Sequence, residues 1–223
     1  MTTLFITGID TDIGKTYATG ILARHLLSCG KSVITQKLIQ TGVATPIADD
    51  IRTHRTLMNV PLMDVDTDGT TCPLTFVKPA SPHLSARLEN RTINLDDITH
   101  ATARLNARFD IVLLEGAGGV LVPMTDDVLT LDYIATQSYP VLVVTSARLG
   151  SINHTLLTLE AIQTRGLTLW GVVFNHHFDT DPDISTDTQD YLQSHVAHHY
   201  PSAIFMELVG DEMTGFDDVA DKF

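Results

Sequence analysis

Residues 8–16 read Gly-Ile-Asp-Thr-Asp-Ile-Gly-Lys-Thr, an order of side chains suited to holding phosphate. Between the two glycines the backbone can curl so that its N–H groups face anionic oxygens. Lys15 adds a mobile charge, the Thr16 hydroxyl can ligate Mg²⁺, and a following helix would offer its positive dipole end. Two details are unusual. Five residues separate Gly8 from Gly14 where the common phosphate loop has four, and Asp10 and Asp12 set carboxylates beside a polyanion site. Three later segments place further chemistry after apolar runs. Lys37 ends one run and is followed by Thr41 and Gly42; a lysine there faces an anionic ligand or is a solvated strand terminus. Glu115-Gly116-Ala117-Gly118-Gly119 ends another, and Glu115 there is either a Mg²⁺ ligand on a bound nucleotide or the acid of a tight turn. Asn175 ends a third, its amide suited to a nucleotide base or to a turn.

Positioning these groups requires strands that stop at one end of a sheet. Short apolar runs alternate with amphipathic stretches along the chain. Strands are expected at residues 3–7, 32–38, 111–114, 141–145, 169–174 and 203–206, and helices at 15–29, 49–58, 95–106, 129–137, 152–165 and 188–199. Most of the strands are apolar on both faces, as strands covered by helices on each side must be. In the first helix Ala18, Ile21, Leu22, Leu26 and Cys29 form a stripe, and Gly30 stands where a helix-stopping glycine belongs. The order predicts an α/β fold of the P-loop NTPase type, a mostly parallel sheet with helices on both faces and ligands at the carboxyl ends of its strands. Residues 59–91 show little periodicity and are expected to lie over the sheet edge or the mouth of the site.

The chain of 223 residues carries 43% hydrophobic and 18% charged residues, with no linker or repeat to divide it, so residues 1–223 are read as one domain. A formal charge of −13 repels phosphate backbones and anionic membranes, which argues against nucleic acid or membrane as partner. Any bound anion must therefore be held by local geometry. Cys29 and Cys72 lack metal-ligand spacing and fit a reducing compartment. With no leader pattern and no apolar run of about 20 residues, a cytoplasmic location is expected. His195 and His199, four apart on an expected helix, could in principle pair on a metal, but a solvated helix face is the simpler reading.

Taken together, these segments resemble the dethiobiotin synthetase family. The likeness rests on residues 7–16, residues 37–42, Asp50, Ser81-Pro82-His83, Glu115 to Gly119 and Leu149-Gly-Ser-Ile-Asn-His154, in order from the chain start to about Asn175. The five-residue gap in the loop is the normal form of that family. The resemblance implies a homodimeric, ATP-dependent ligase of biotin biosynthesis. It would close a ureido ring on 7,8-diaminopelargonate with CO2, through a carbamate and a mixed carbamic-phosphoric anhydride, giving dethiobiotin, ADP and phosphate. By the same resemblance Lys37 and Lys15 are catalytic, and Mg²⁺ is held by Thr16, Asp50 and Glu115. The nucleotide is held by Asp12, Ile13, Gly14, Lys15, Thr16, Tyr17, Asp50, Glu115, Gly116, Ala117, Gly118, Asn175 and His176. Thr11, Thr41, Gly118, Gly150, Asn153 and Tyr191 contact substrate, the segment at residues 149–153 reaching it from the neighbouring subunit. Asp10 and Asp12 suit a diamine and the positioning of the loop. The chain departs from the family at two places: Thr41 stands where serine is frequent, and residues 206–211 lack the proline often found near the base, leaving base selectivity open.

The alternative is a partitioning-type P-loop ATPase, a nucleotide-switched binding protein. Such proteins usually carry a second lysine in the phosphate loop, where this chain has Asp10 and Asp12. A GTP-dependent switch would need an Asn-Lys-x-Asp motif, which Asn175-His176-His177-Phe178 does not supply.

Overall fold

Runs of residues that are apolar in both directions must be covered on both sides, and the sheet achieves this by splitting alternate side chains between two cores. The computed structural model describes residues 2–215 and residue 223. Among these the chain runs β1 (Thr2–Gly8), α1 (Lys15–Ser28), β2 (Val33–Lys37), β3 (Gln40–Thr41), α2 (Asp49–Leu57), α3 (Asp64–Thr67), β4 (Thr75–Phe76), α4 (Pro82–Leu88) and α5 (Leu95–Asn106). It continues through β5 (Ile111–Glu115), α6 (Thr130–Gln137), β6 (Val141–Ser146), α7 (Ser151–Thr164), β7 (Leu169–Asn175), a 3₁₀ turn (His176–Phe178), α8 (Pro182–His199), β8 (Ile204–Val209) and β9 (Glu212–Thr214).

The main sheet has the order β2-β5-β1-β6-β7-β8-β9. Every pairing is parallel except that of β9 with β8. Leu4 and Ile6 of β1 face α1, packing with Ala18, Ile21, Leu22 and Leu26. Phe5 points the other way, into a core shared with Leu114, Ile134, Leu159 and Ile162. Each such side chain, once fully buried, contributes about 1.5–3 kcal/mol relative to exposure. The stripe on α1 and the alternation on β1 therefore fix each other's orientation. Beyond α1, Gly30 adopts φ 78° and its N–H closes on the Leu27 carbonyl, the expected glycine stop.

The parallel order brings the ends of β1, β2, β5, β6 and β7 to one edge. There Lys37 pairs in register with Glu115, and Ile6 with the same Glu115, so three strands deliver adjacent groups.

Several boundaries differ from the sequence expectation. α8 begins at Pro182 rather than residue 188, because Asp181 caps it by accepting from the Asp183 and Ile184 amides. β8 extends to Val209 and turns back into β9, a hairpin not foreseen. Residues 59–91, expected to be irregular, contain α3, β4 and α4. β4 pairs in parallel with β3 to form a separate two-stranded sheet. Those elements are two to seven residues long, too short for a period to register. The last part of this region reaches the site, since Pro79, Ala80, Ser81 and Pro82 line the cleft described below.

Candidate active site

The loop from Gly8 to Gly14 depends on two close approaches. At Gly14, φ is 98° and an added Cβ would stand 2.2 Å from the Asn175 amide nitrogen; at Gly8 it would stand 2.4 Å from Ile13 Cγ2. A side chain at either position would push the loop off its supports. Asp12 also adopts the left-handed region, with φ 56°, a conformation that short polar residues tolerate best after glycine. Further bonds brace the loop. Asp10 accepts from the Thr11 amide at 2.7 Å and pairs with Arg148 at 3.3 Å. Asn175 donates to the Ile13 carbonyl at 3.0 Å and accepts from the His177 amide at 3.1 Å. α1 starts directly after Gly14, so its free N–H groups and dipole face the concave side of the loop.

Beside the loop lies a buried charge cluster. Lys37 Nζ stands 2.5 Å from Asp50 Oδ2 and 2.8 Å from Glu115 Oε1, and donates to the Gly116 carbonyl at 3.0 Å. Thr16 Oγ1 donates to the same Glu115 oxygen at 3.0 Å. His54 Nε2 meets the other, Oε2, at 2.7 Å. Gln40, just past β2, accepts from the Asp50 amide and so sets the start of α2. Glu115 and His54 are both fully shielded from solvent. Burial alone would raise the Glu115 carboxyl, but the Lys37 charge and the His54 bond outweigh it and hold the group well below the usual carboxylate range. Burial would likewise lower Lys37, yet Glu115 and Asp50 push it above the ordinary lysine range. Lys15 has no carboxylate in contact. Its ammonium donates to the Asp10 carbonyl at 2.8 Å, and burial followed by repulsion from Lys37 lowers it to about 8.

The donor set fits Mg²⁺. Two carboxylates and a hydroxyl, all hard oxygens, converge where the Lys37 ammonium already shows that positive charge is favoured. Among the described residues no group of three or more His, Cys, Asp or Glu side chains is arranged to hold a metal. A cation held by Asp50, Glu115 and Thr16 would thus keep ligand positions for water and phosphate, as Mg²⁺ does on nucleotides. His195 and His199 lie 4.4 Å apart between ring centroids on α8, with no third ligand among the described residues.

Loop and cluster open into one cleft of about 1150 Å³, larger than the roughly 300–1,000 Å³ of common ligand pockets and roomy enough for a nucleotide and a second substrate. The structure brings Thr11, Asp12, Gly14, Lys15, Thr16, Tyr17, Lys37, Thr41, Asp50, Glu115, Ala117, Gly118 and Asn175 to its wall. Ile13 is instead a buried anchor of the loop, and Gly116 packs under Phe5 while its carbonyl receives Lys37. His176 is not brought in, because its ring nitrogens meet Asp179 at 2.6 Å and Glu207 at 3.1 Å. At that end the wall is made by His177, Phe178, Leu208, Gly210 and Asp211. Gly150, Asn153 and Tyr191 are also absent from the wall. They sit at the start of α7 and on α8, where Leu149 is 92% and Tyr191 48% exposed.

Sequence reasoning passed over His54 and Gln40, whereas Leu208, Gly210 and Asp211 of the wall fall in the stretch 206–211 that the family resemblance places near the base. For His54 a signal was present, since it follows Asp50 by four residues on one helix and therefore shares its face.

A family model described as an AAA domain matches residues 2–202. The ATP-dependent dethiobiotin synthetase BioD 2 of Pasteurella multocida is 48% identical over 207 residues, covering 92% of this chain and 97% of the relative. The protein of the same name from Haemophilus influenzae is 52% identical over 178 residues, 80% of this chain and 93% of its own. The ATP-dependent dethiobiotin synthetase BioD of Chlorobaculum tepidum is 48% identical over 189 residues, with coverage of 85% and 79%. Among solved structures, chloroplast FtsY from Physcomitrella patens superposes with a TM-score of 0.54 at 16% identity. Cell division protein FtsY from Thermotoga maritima does so at 0.53 and 17%. Each likeness covers 98% of this chain but only 63% and 66% of those chains, and at such identity it shows the P-loop NTPase-like fold alone.

Proposed function

The chain belongs to the family of ATP-dependent dethiobiotin synthetases, and from that premise we propose how its own residues carry out the ligase reaction of biotin biosynthesis. ATP is the phosphoryl donor, and the carbon substrates are 7,8-diaminopelargonate and CO2. The observation that carries the assignment is the Lys37, Asp50, Glu115 and Thr16 cluster, opening beside the phosphate loop into the same cleft.

The chemistry begins when one neutral substrate amine attacks CO2, forming a carbamate and releasing a proton. Lys37, a fixed cation at the end of β2, holds the carbamate and faces the γ-phosphate. The carbamate oxygen then attacks phosphorus in line, and ADP departs. The loop amides, the start of α1 and Lys15 stabilise the charge that builds on the phosphate oxygens. Bound Mg²⁺ supplies charge neutralisation across the nucleotide phosphates, with Thr16, Asp50 and Glu115 as the residues that would hold it. The second amine finally attacks the activated carbonyl carbon, phosphate leaves, a proton is lost and the ring closes. Thr11, Thr41 and Gly118 line the cleft beside these groups and orient the diamine, with Asp12 facing its positive charge. Asn175 serves the nucleotide indirectly, through the loop it ties to β7.

A homodimer completes the site in this proposal. Gly150, Asn153 and Tyr191 lie outside their own cleft, the first two following the 92% exposed Leu149 and Tyr191 itself 48% exposed, so they would reach substrate only from a second copy. No helix among the described residues is long and apolar enough to cross a membrane, in keeping with an enzyme whose substrates are small and water-soluble; the proposed location is the cytoplasm.

The reading is tested by measuring ADP release from the purified protein with and without 7,8-diaminopelargonate and bicarbonate. Turnover is expected only when both accompany Mg·ATP. Hydrolysis indifferent to the diamine would instead favour a nucleotide-switched binding protein.

A further inference from the structure

His54 enters the cluster from behind. It lies one helical turn after Asp50 on α2, and both side chains converge on the same centre, Asp50 through Lys37 and His54 through Glu115. The ring is fully buried, its Nε2 stands 2.7 Å from Glu115 Oε2, and its Nδ1 has no hydrogen-bond partner among the described residues. That pattern places a proton on Nε2, which donates to the carboxylate, and leaves Nδ1 without a partner. Burying a ring nitrogen without a partner is unfavourable. If the position required only volume, an apolar side chain would serve better.

The single bond His54 makes has a defined geometric effect. Glu115 Oε1 already accepts from Lys37 and Thr16, and it is the oxygen turned toward the loop. The carboxylate's last torsion is soft, so nothing on the Oε1 side alone fixes the plane of the group. By holding Oε2, His54 sets that plane. Arg55, its neighbour in the chain, belongs to a different network and does not touch Glu115.

We propose that His54 is a positioning residue that fixes the Glu115 carboxylate in the orientation needed for the metal–nucleotide centre. This rests on the assignment of Thr16, Asp50 and Glu115 to that centre. His54 touches neither substrate nor metal; it acts through Glu115.

The test compares His54→Leu, His54→Gln and His54→Asn. The Gln amide nitrogen can reach the place of Nε2, whereas the shorter Asn amide falls near Nδ1. Mn²⁺ binding in the presence of ATP is followed by electron paramagnetic resonance, the metal-free proteins are melted by circular dichroism, and Mg²⁺ half-saturation and kcat are measured with the diamine and bicarbonate. His54→Leu is expected to weaken Mn²⁺ binding by about 10–100-fold, the usual loss when a ligand's supporting hydrogen bond is removed. His54→Gln recovers most of it, and His54→Asn does not. Should His54→Leu fail to fold, the Gln and Asn pair alone decides. Wild-type Mn²⁺ affinity in His54→Leu, or equal affinities in His54→Gln and His54→Asn, would overturn the proposal. A wild-type protein that turns over without any Mg²⁺ dependence would overturn the metal assignment itself, an outcome separate from either.

Discussion

Two buried ion networks hang from consecutive residues of α2. His54 turns toward Glu115 and the cleft, while Arg55 turns toward Asp66 and closed core. In the second network nearly every polar position is used. Arg55 forms a two-pronged pair with Asp66 at 2.7 and 2.9 Å and donates to the Thr35 hydroxyl at 2.7 Å. Asp66 also accepts from Thr71 and from the Met63 amide. In the first, Lys37 spends its three donors on Asp50, Glu115 and the Gly116 carbonyl, but as a point charge on a flexible stem, and Lys15 beside it finds only a backbone carbonyl. Burial differs chiefly at Asp50, which the cleft leaves partly exposed. What also differs is the cation: a guanidinium fork locks α2 and α3 to β2, whereas a flexible ammonium between two carboxylates can hand its partners to another cation and turn to an anion.

The sharpest test of that contrast is to delete each cation. Lys37→Ala is expected to lower kcat by at least about 10²–10³-fold, the loss seen when one preorganised electrostatic donor is removed. Its melting temperature should fall less than that of Arg55→Met, since Asp50 is partly exposed and Glu115 keeps its bonds to His54 and Thr16. A normal kcat would remove Lys37 from the mechanism and put the cleft cluster in the same class as its neighbour. Arg55→Met should show the reverse. Breaking a buried pair by removing one partner costs about 3–5 kcal/mol, read as a lower denaturation midpoint in urea. Its folded fraction should keep kcat within about tenfold, equivalent to roughly 1.4 kcal/mol on the barrier. Loss of turnover without loss of stability in this variant would break the comparison from the other side.

The same contrast explains what the sequence could disclose. The central strands were legible because burial on both faces leaves continuous apolar runs, and α5 was legible over 95–106 because its stripe and its Asn94 cap agree. The phosphate loop, Lys37 and Glu115 were legible because each ends such a run. The Arg55 network was not, since its partners stand in short elements whose pairing is set by tertiary contact: Asp66 in a four-residue helix, Thr71 in a turn. His54 gave only its four-residue spacing from Asp50, a signal too weak to single it out. The start of α2 reads Asp-Asp-Ile-Arg-Thr-His-Arg, and among so many polar residues periodicity cannot say which ones turn inward. Its partner lies 61 residues away. Asn175 shows the limit for loops: its position at a strand end was readable, but its attachment to a carbonyl 162 residues earlier was not.

Lys15, whose ammonium meets a single backbone carbonyl, offers the finest probe of the cleft cluster, because its charge state depends on what occupies the cleft. Burial and the Lys37 charge lower its pKa to about 8, against about 10.5 for a lysine in the unfolded chain. Between those two pH values the unfolded chain holds a proton that the folded chain lacks. This group's contribution to stability therefore rises with pH across that window, and its full penalty applies below about 8. A bound polyphosphate reverses the balance, since its negative charge favours the ammonium and draws the pKa back up. Nucleotide binding just above pH 8 should then be accompanied by net proton uptake, and affinity should fall as pH rises further. Calorimetric titrations in two buffers of different ionisation enthalpy measure the uptake directly, and Lys15→Met should abolish it. Equal binding enthalpies in the two buffers for the wild-type protein would mean that Lys15 keeps its proton in the empty cleft, and that the carboxylates near it already hold it charged as Asp66 holds Arg55.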